Sequence, residues 1–343
     1  MVKVHRYLEL DAFRGIAILL VMISHYTWAY DFHFNTLDQH SFHFPFAGEL
    51  GVKFFFIISG FVIFLSLKNL SNVKDFLINR FSRLYPTYWI CLLITLLFIL
   101  IFPVPSINYT FYEILANFSM VQGYLKIKHI DQVYWSLGIE LVFYGLMALI
   151  FKLKLIKHIN AISFLWLLLV LLSLINKSFF FKILTSALIL RYAPLFIMGI
   201  MFYKLKNNSR DFFIHFIILF SYLLTVYRMY DEGIVNPQYP LLNISFVFFT
   251  IVVILFYYFS YFSISFFQSG FLNFIGKISY PLYLLHNVIG YSIIFRIKKL
   301  YDVEIVYVVC TSVVTIFMAF LISTHIENSS TISTKIFLKR YFK

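Results

Sequence analysis

Arg14 and His25 stand inside the first apolar segment of the chain, Ala12 to Tyr30, which reads AFRGIAILLVMISHYTWAY. They are 11 residues apart. At about 100° per residue, both side chains leave a helix on the same face, separated by about 16 Å along its axis. A guanidinium inside a membrane helix costs at least a few kcal/mol unless it reaches an interface, a partner or water. Two readings stand open for each residue. Arg14 lies two residues inside the segment and either snorkels to the headgroups or serves a site. His25 is either a hydrogen-bonded core histidine or an acid–base group, since imidazole is the side chain whose ordinary pKa suits proton transfer near neutral pH.

Further candidates lie in the later apolar stretches. Glu140 is roughly seven residues in from the outer end of its stretch, at a depth near that of His25. A buried carboxylate within reach of an imidazole orients it and raises its basicity, so Glu140 is expected to act on His25. Arg191 is too central to snorkel and is expected to face a polar cavity or to pair with Glu140. His286 falls near mid-membrane. Arg80 and Arg83, at i and i+3, project together from a helix. Such a pair suits a phosphate, which arginine forks grip with two hydrogen bonds; the alternative is ordinary cytoplasmic charge. The first outer loop holds His33, His40, His43, Asp31, Asp38 and Glu49. Its His-x-x-His spacing is too loose for a zinc site, so the loop reads as solvated and no metal is expected. Cys91 and Cys310 both fall in apolar stretches, which suggests neither a disulfide nor a thiol metal site.

The elements that must position these groups are membrane helices. Of 343 residues, 61% are hydrophobic and 13% charged, and the mean hydropathy is +0.85. Those values belong to polytopic membrane proteins. Ten apolar stretches lie near residues 12–30, 50–67, 84–102, 133–151, 159–175, 183–203, 212–227, 239–259, 278–295 and 303–324. The expected fold is therefore all-α, one domain over residues 1–343, a polytopic bundle of about ten transmembrane helices. The basic lead, Lys3 and Arg6, imitates a signal peptide, but no small-residue cleavage site follows His25, so the segment is expected to stay. An even number of spans puts both termini on one side. With those termini cytoplasmic, seventeen of the 28 Lys and Arg residues fall inside and eight outside. Arg296, Lys298 and Lys299 run against that bias. The net charge of +13 thus reports topology against an anionic bilayer, not a nucleic-acid partner. The outer segment from Pro103 to Gln132, with an amphipathic piece over Phe111–Met120, is a candidate lid or acceptor loop. The tail from Ile326 to Lys343 is short and basic, with no appended soluble domain expected.

Five pieces taken together carry a resemblance. They are Phe13-Arg14 with ten residues before His25, Gly51-Val52 through Ile58-Ser59-Gly60-Phe61, Arg80-x-x-Arg83 with Pro86, Tyr134-Trp135-Ser136-Leu137 through Glu140 with Tyr144, and Ile278-Ser279-Tyr280 through Leu285-His286. In that order the chain resembles the acyltransferase-3 family of bacterial membrane O-acyltransferases. The resemblance implies a multi-pass protein of the bacterial cytoplasmic membrane that takes an acyl group, commonly acetyl, from cytoplasmic acyl-CoA. It implies an acceptor hydroxyl at the outer face, on a surface polysaccharide or lipid-linked oligosaccharide. The donor is a substrate, and no bound cofactor is implied. Arg14 and His25 would be the hallmark pair, Arg80 and Arg83 would take the donor's phosphates, and Trp135, Ser136 and Tyr144 would face substrate. Lys53 departs from the acidic or neutral residue often found there, and none of the esterase-like domain that some members append is expected here, so the bundle would complete the transfer alone. The expected mechanism has His25 and Glu140 as the catalytic pair, with Arg191 or His286 near the developing oxyanion. An acyl-histidine relay through His25 is the alternative. A rival of another class is a proton-coupled transporter using His25, Glu140 and His286 as a relay, although the matching half-sequences common in transporters are missing.

Overall fold

The computed structural model of the chain describes residues 7–34, 44–104, 107–176, 178–207, 211–235, 242–268, 270–301 and 303–342. Lys3, Arg6, Asp38, His40 and His43 lie outside the described residues. No strand occurs among those described. The first apolar stretch forms one rod of α1 (Leu8–Ser24), a π-helical turn (His25–Ala29) and α2 (Tyr30–Phe34). The rod has no proline to break it, and its π turn inserts an extra residue beginning at His25, a distortion frequent at functional sites. Next come α3 (Pro45–Lys68) and α4 (Val73–Ile101). Pro45 starts α3 where a missing N–H does no harm. Asn72 caps α4 by accepting from the Asp75 amide at 2.7 Å.

The outer segment carries α5 (Phe111–Asn117), set by a capping box between Thr110 and Glu113. A 3₁₀ turn (Gln132–Tyr134) leads into α6 (Trp135–Lys152), followed by α7 (Ile159–Ile175), α8 (Phe179–Ala187), α9 (Ala193–Lys206), α10 (Phe212–Val235) and α11 (Leu242–Tyr261). The chain ends with α12 (Phe271–Lys277), α13 (Ser279–Leu300), α14 (Glu304–Ile322), a second π turn (Ser323–Glu327) and α15 (Asn328–Tyr341).

Among the described residues seven helical stretches are long and apolar enough to cross a membrane, and α12 with α13, bent by 78°, make an eighth. The two remaining apolar stretches of the sequence fall on α1, which is 17 residues long, and on α8 with the 14-residue α9. Both α1 and α9 are enclosed by their neighbours. For α3, 67% of the apolar window is buried within the protein, against 28% for α7 and for α14 with α15. The bundle thus has an inner layer of α1, α3, α9 and α13, and an outer layer that turns Leu165, Ile254 and Val313 outward.

Lipid supplies no hydrophobic force between helices, so close backbone approach through small residues holds the inner layer together. A Cβ on Gly276 of α12 would lie 1.7 Å from the Asp11 carbonyl oxygen of α1, and one on Gly15 would lie 2.2 Å from the Leu272 oxygen. Gly60 of α3 and Gly199 of α9 meet the opposing backbones in the same way, as the small pair Ser59-Gly60 suggests. At the bend, Ser279 Oγ donates to the Gly276 carbonyl at 2.8 Å. Because Gly145 of α6 has open space beside it, Gly145→Ala should leave the melting temperature in detergent unchanged or raised. Gly276→Ala should lower it, by overpacking of about 1–3 kcal/mol. Equal melting temperatures would show that α1 and α12 are not in contact.

Candidate active site

Two cavities open along one stripe of the first rod. The inner one meets Arg14; the outer and roomier one meets Val21, His25 and Trp28. Those positions repeat at 7, 11 and 14 residues from Arg14, which keeps them on one helix face, as the spacing of Arg14 and His25 predicts. Val52, Phe56 and Tyr283 wall both cavities.

The inner cavity gathers Arg14, Arg80, Arg83, Ser136, Glu140 and Tyr144. Arg14 NH1 donates to Asp11 Oδ1 at 2.9 Å, and Arg83 and Glu140 both stand close enough to act on its charge. Arg80 NH2 donates to Ser66 Oγ at 2.9 Å, and its guanidinium lies over the rings of Phe76 and Tyr144. Its Nε is buried with no hydrogen-bond partner among the described residues. Glu140 Oε1 accepts from Ser59 Oγ and Tyr144 Oη, both at 2.6 Å. The lining itself carries three arginines and one glutamate, with Asp11 paired to Arg14 behind it, so the surface it presents is cationic and suited to an anion.

The outer cavity is balanced differently. Lys53 pairs with Glu49, and Arg191 with Glu232 at 2.9 Å; Asp231 also faces the space. Trp28, Trp135 and Tyr192 add rings, the last two with centroids 5.3 Å apart. His25 lines this chamber, and behind it stands His286, fully buried and lining neither cavity. The two rings lie nearly coplanar and edge to edge, with centroids 4.9 Å apart and 10° between planes.

The hydrogen bonds assign the protons of this pair. His286 Nδ1 lies 2.9 Å from the Tyr283 carbonyl and 3.2 Å from that of Leu282. Carbonyls only accept, so Nδ1 carries hydrogen, and Nε2 of the neutral ring is an acceptor. His25 Nδ1, 2.8 Å from that Nε2, therefore donates. The basic nitrogen of His25 is then Nε2. A histidine so held has a fixed tautomer and can serve as a general base through Nε2, as one oriented by a carboxylate does in a catalytic triad.

The neighbourhood pins His286 in turn. Tyr26 Oη donates to the His286 carbonyl at 2.9 Å and Tyr134 Oη to that of Leu284 at 3.2 Å. Asp131, just before α6, accepts from Asn287 Nδ2 at 2.8 Å and the Val288 amide at 3.1 Å. Burial pushes its carboxyl up to about 6, against the pull of those donors.

Residues 7–324 match the family model of the acyltransferase domain, Acyl_transf_3. The chain belongs to this acyltransferase family. It is similar to acyltransferase MdmB of Streptomyces mycarofaciens, 27% identical over 148 residues, which are 41% of this chain and 38% of that protein. The matched part is thus well under half of that relative. No solved structure matches.

Measured against the sequence, the structure places several of these groups differently. Glu140 does not orient His25: the two residues line different cavities, because equal depth on two helices says nothing about the direction each side chain takes. Arg191 faces a polar cavity, the first of its two expected placements, and its partner there is Glu232 and not Glu140. Of the two groups expected near the oxyanion, His286 has its ring sealed behind His25, whereas Arg191 lines the same cavity as His25. Asp11, Tyr283, Asp231 and Glu232 joined the site unannounced, and Ser59 and Glu49 entered it from a motif and a loop that had assigned them no role there. Also unannounced was Glu327 of the second π turn, whose charge acts on Arg83 and Arg14. Asp11, one turn before Arg14, was the one with a readable signal. These placements predict a pattern of coupling. His25→Ala and His286→Ala should each slow thiol release from acetyl-CoA about 10²-fold or more and together cost little beyond the worse single change. Glu140→Gln should multiply with His25→Ala, since residues in separate cavities act independently. Additive loss in the histidine pair would break the dyad.

Proposed function

We propose that the protein moves an acyl group, acetyl being the best fit, from acyl-CoA in the inner cavity to a hydroxyl in the outer one. The acceptor is a surface polysaccharide or a lipid-linked sugar. The observation that carries this reading is the stripe of α1 that presents a cationic chamber at one end and a tautomer-fixed base at the other. The seventeen-to-eight bias of Lys and Arg supports an orientation with the arginine end and both termini in the cytoplasm and the His25 end outside, in the cytoplasmic membrane of a bacterial cell. Acyl-CoA is a cytoplasmic anion and suits the first chamber. A sugar suits the second: its apolar ring faces stack on Trp28, Trp135 or Tyr192, and its hydroxyls meet Glu49, Lys53, Arg191, Asp231 and Glu232.

In the reaction, His25 Nε2 takes the proton of the acceptor hydroxyl as the oxygen attacks the thioester carbonyl. The tetrahedral intermediate collapses with cleavage of the C–S bond, and the departing thiolate recovers the proton from His25. The imidazolium formed on the way keeps its Nδ1–H bond to His286, so the pair needs no rearrangement between steps. Glu140 works on the donor side, where it fixes Tyr144 and Ser59 and offsets part of the arginine charge.

The donor assignment is open to a direct test. Charge-assisted hydrogen bonds contribute about 1.5–3 kcal/mol each. Arg80→Ala with Arg83→Ala should therefore raise the KM for acetyl-CoA at least tenfold in reconstituted protein. The KM for S-acetylpantetheine, which has no phosphate, should not move. An equal rise for both donors would remove the phosphate role.

A further inference from the structure

Three side chains line both chambers. Val52 and Phe56 stand at i and i+4 on α3, one above the other on a single face, and Tyr283 closes from α13. None of them swings freely. Phe56 is 3% exposed, with its ring centroid 4.8 Å from that of Phe196 and 5.2 Å from that of Tyr192. Tyr283 Oη donates to the Val133 carbonyl at 2.9 Å and meets Ser136 Oγ at 2.7 Å, while its ring sits edge-on to Phe55 at 5.8 Å. Val52 is β-branched and keeps one rotamer on a helix. The partition is apolar and stiff, with charged groups on both sides of it and none within it.

We infer that Val52, Phe56 and Tyr283 select the acyl group by its length. The inference rests on the proposed transfer between the chambers. That transfer joins a carbon held on the arginine side to an oxygen held on the His25 side, so the thioester carbonyl must come to the partition. Whatever extends beyond the carbonyl must then fit among these three side chains. A methyl group asks little of them. Each further methylene has to displace a packed ring, and overpacking a stiff apolar site costs more than burying one methylene contributes. Short acyl groups pass and longer ones are refused.

The test measures thiol release from acetyl-, propionyl- and butyryl-CoA by the full-length protein in proteoliposomes, with water as the acceptor. The expected result is a fall of at least tenfold in kcat/KM from acetyl to butyryl in the unaltered chain. Val52→Ala should recover most of that fall, and Phe56→Leu should shift the ratio the same way if Phe56→Ala does not fold. An unchanged butyryl-to-acetyl ratio in Val52→Ala and Phe56→Leu, with acetyl turnover intact, would overturn the partition and leave the donor and acceptor assignment standing. Absence of thiol release from every acyl-CoA in the unaltered chain would instead overturn the proposed transfer, and the partition with it.

Discussion

The hydrogen bond from His25 Nδ1 to His286 Nε2 is the interaction on which the rest of the site depends. It joins residues 261 apart in sequence and decides which nitrogen of His25 is basic. Nothing on His25's own helix holds it. The bond exists because α13 is clamped on both flanks of His286, by Tyr134 at Leu284 and by Asp131 at Asn287 and Val288, with Tyr26 reaching the histidine's own carbonyl. Glycine contacts between α1 and α12 bring the start of the rod and the approach to α13 together. Backbone packing in the inner layer and proton placement at the site are thus one problem, solved by the same helices.

A second constraint is electrostatic. An acyl-CoA donor and a neutral or weakly charged sugar need opposite surroundings, and a membrane protein that buries both charges and their counter-charges bears a large desolvation penalty. In the proposed transfer the two chambers keep them apart. Arginines collect with Glu140 in the inner chamber, carboxylates and their cations in the outer, and Val52, Phe56 and Tyr283 line both.

Much of the fold was legible, because apolar stretches of span length admit one structural answer in lipid. The stripe from Arg14 to His25 and the pairing of Arg80 with Arg83 followed from helix geometry alone. The bond to His286 did not, since periodicity along one helix carries no information about which distant helix stands opposite. Glu140 misled for the same reason: depth is readable from residue counts, and direction around the axis of a second helix is not. The partner of Arg191 was hidden differently. The stretch near 212–227 continues as α10 to Val235, and the extra turns carry Glu232 to the rim of the outer chamber. Helix termini are where hydropathy fades first, so polar site residues that sit there are the ones a sequence reading loses.

The central claim, that His286 makes Nε2 the basic nitrogen of His25, is tested most directly by ring-¹⁵N NMR of histidine-labelled protein in nanodiscs. Spectra of His25→Asn and His286→Asn variants assign the two residues. The account predicts, near neutral pH, a protonated Nδ1 and a bare Nε2 on both rings, with a coupling across the hydrogen bond between them. A His25 ring carrying its proton on Nε2, with Nδ1 bare, would contradict it.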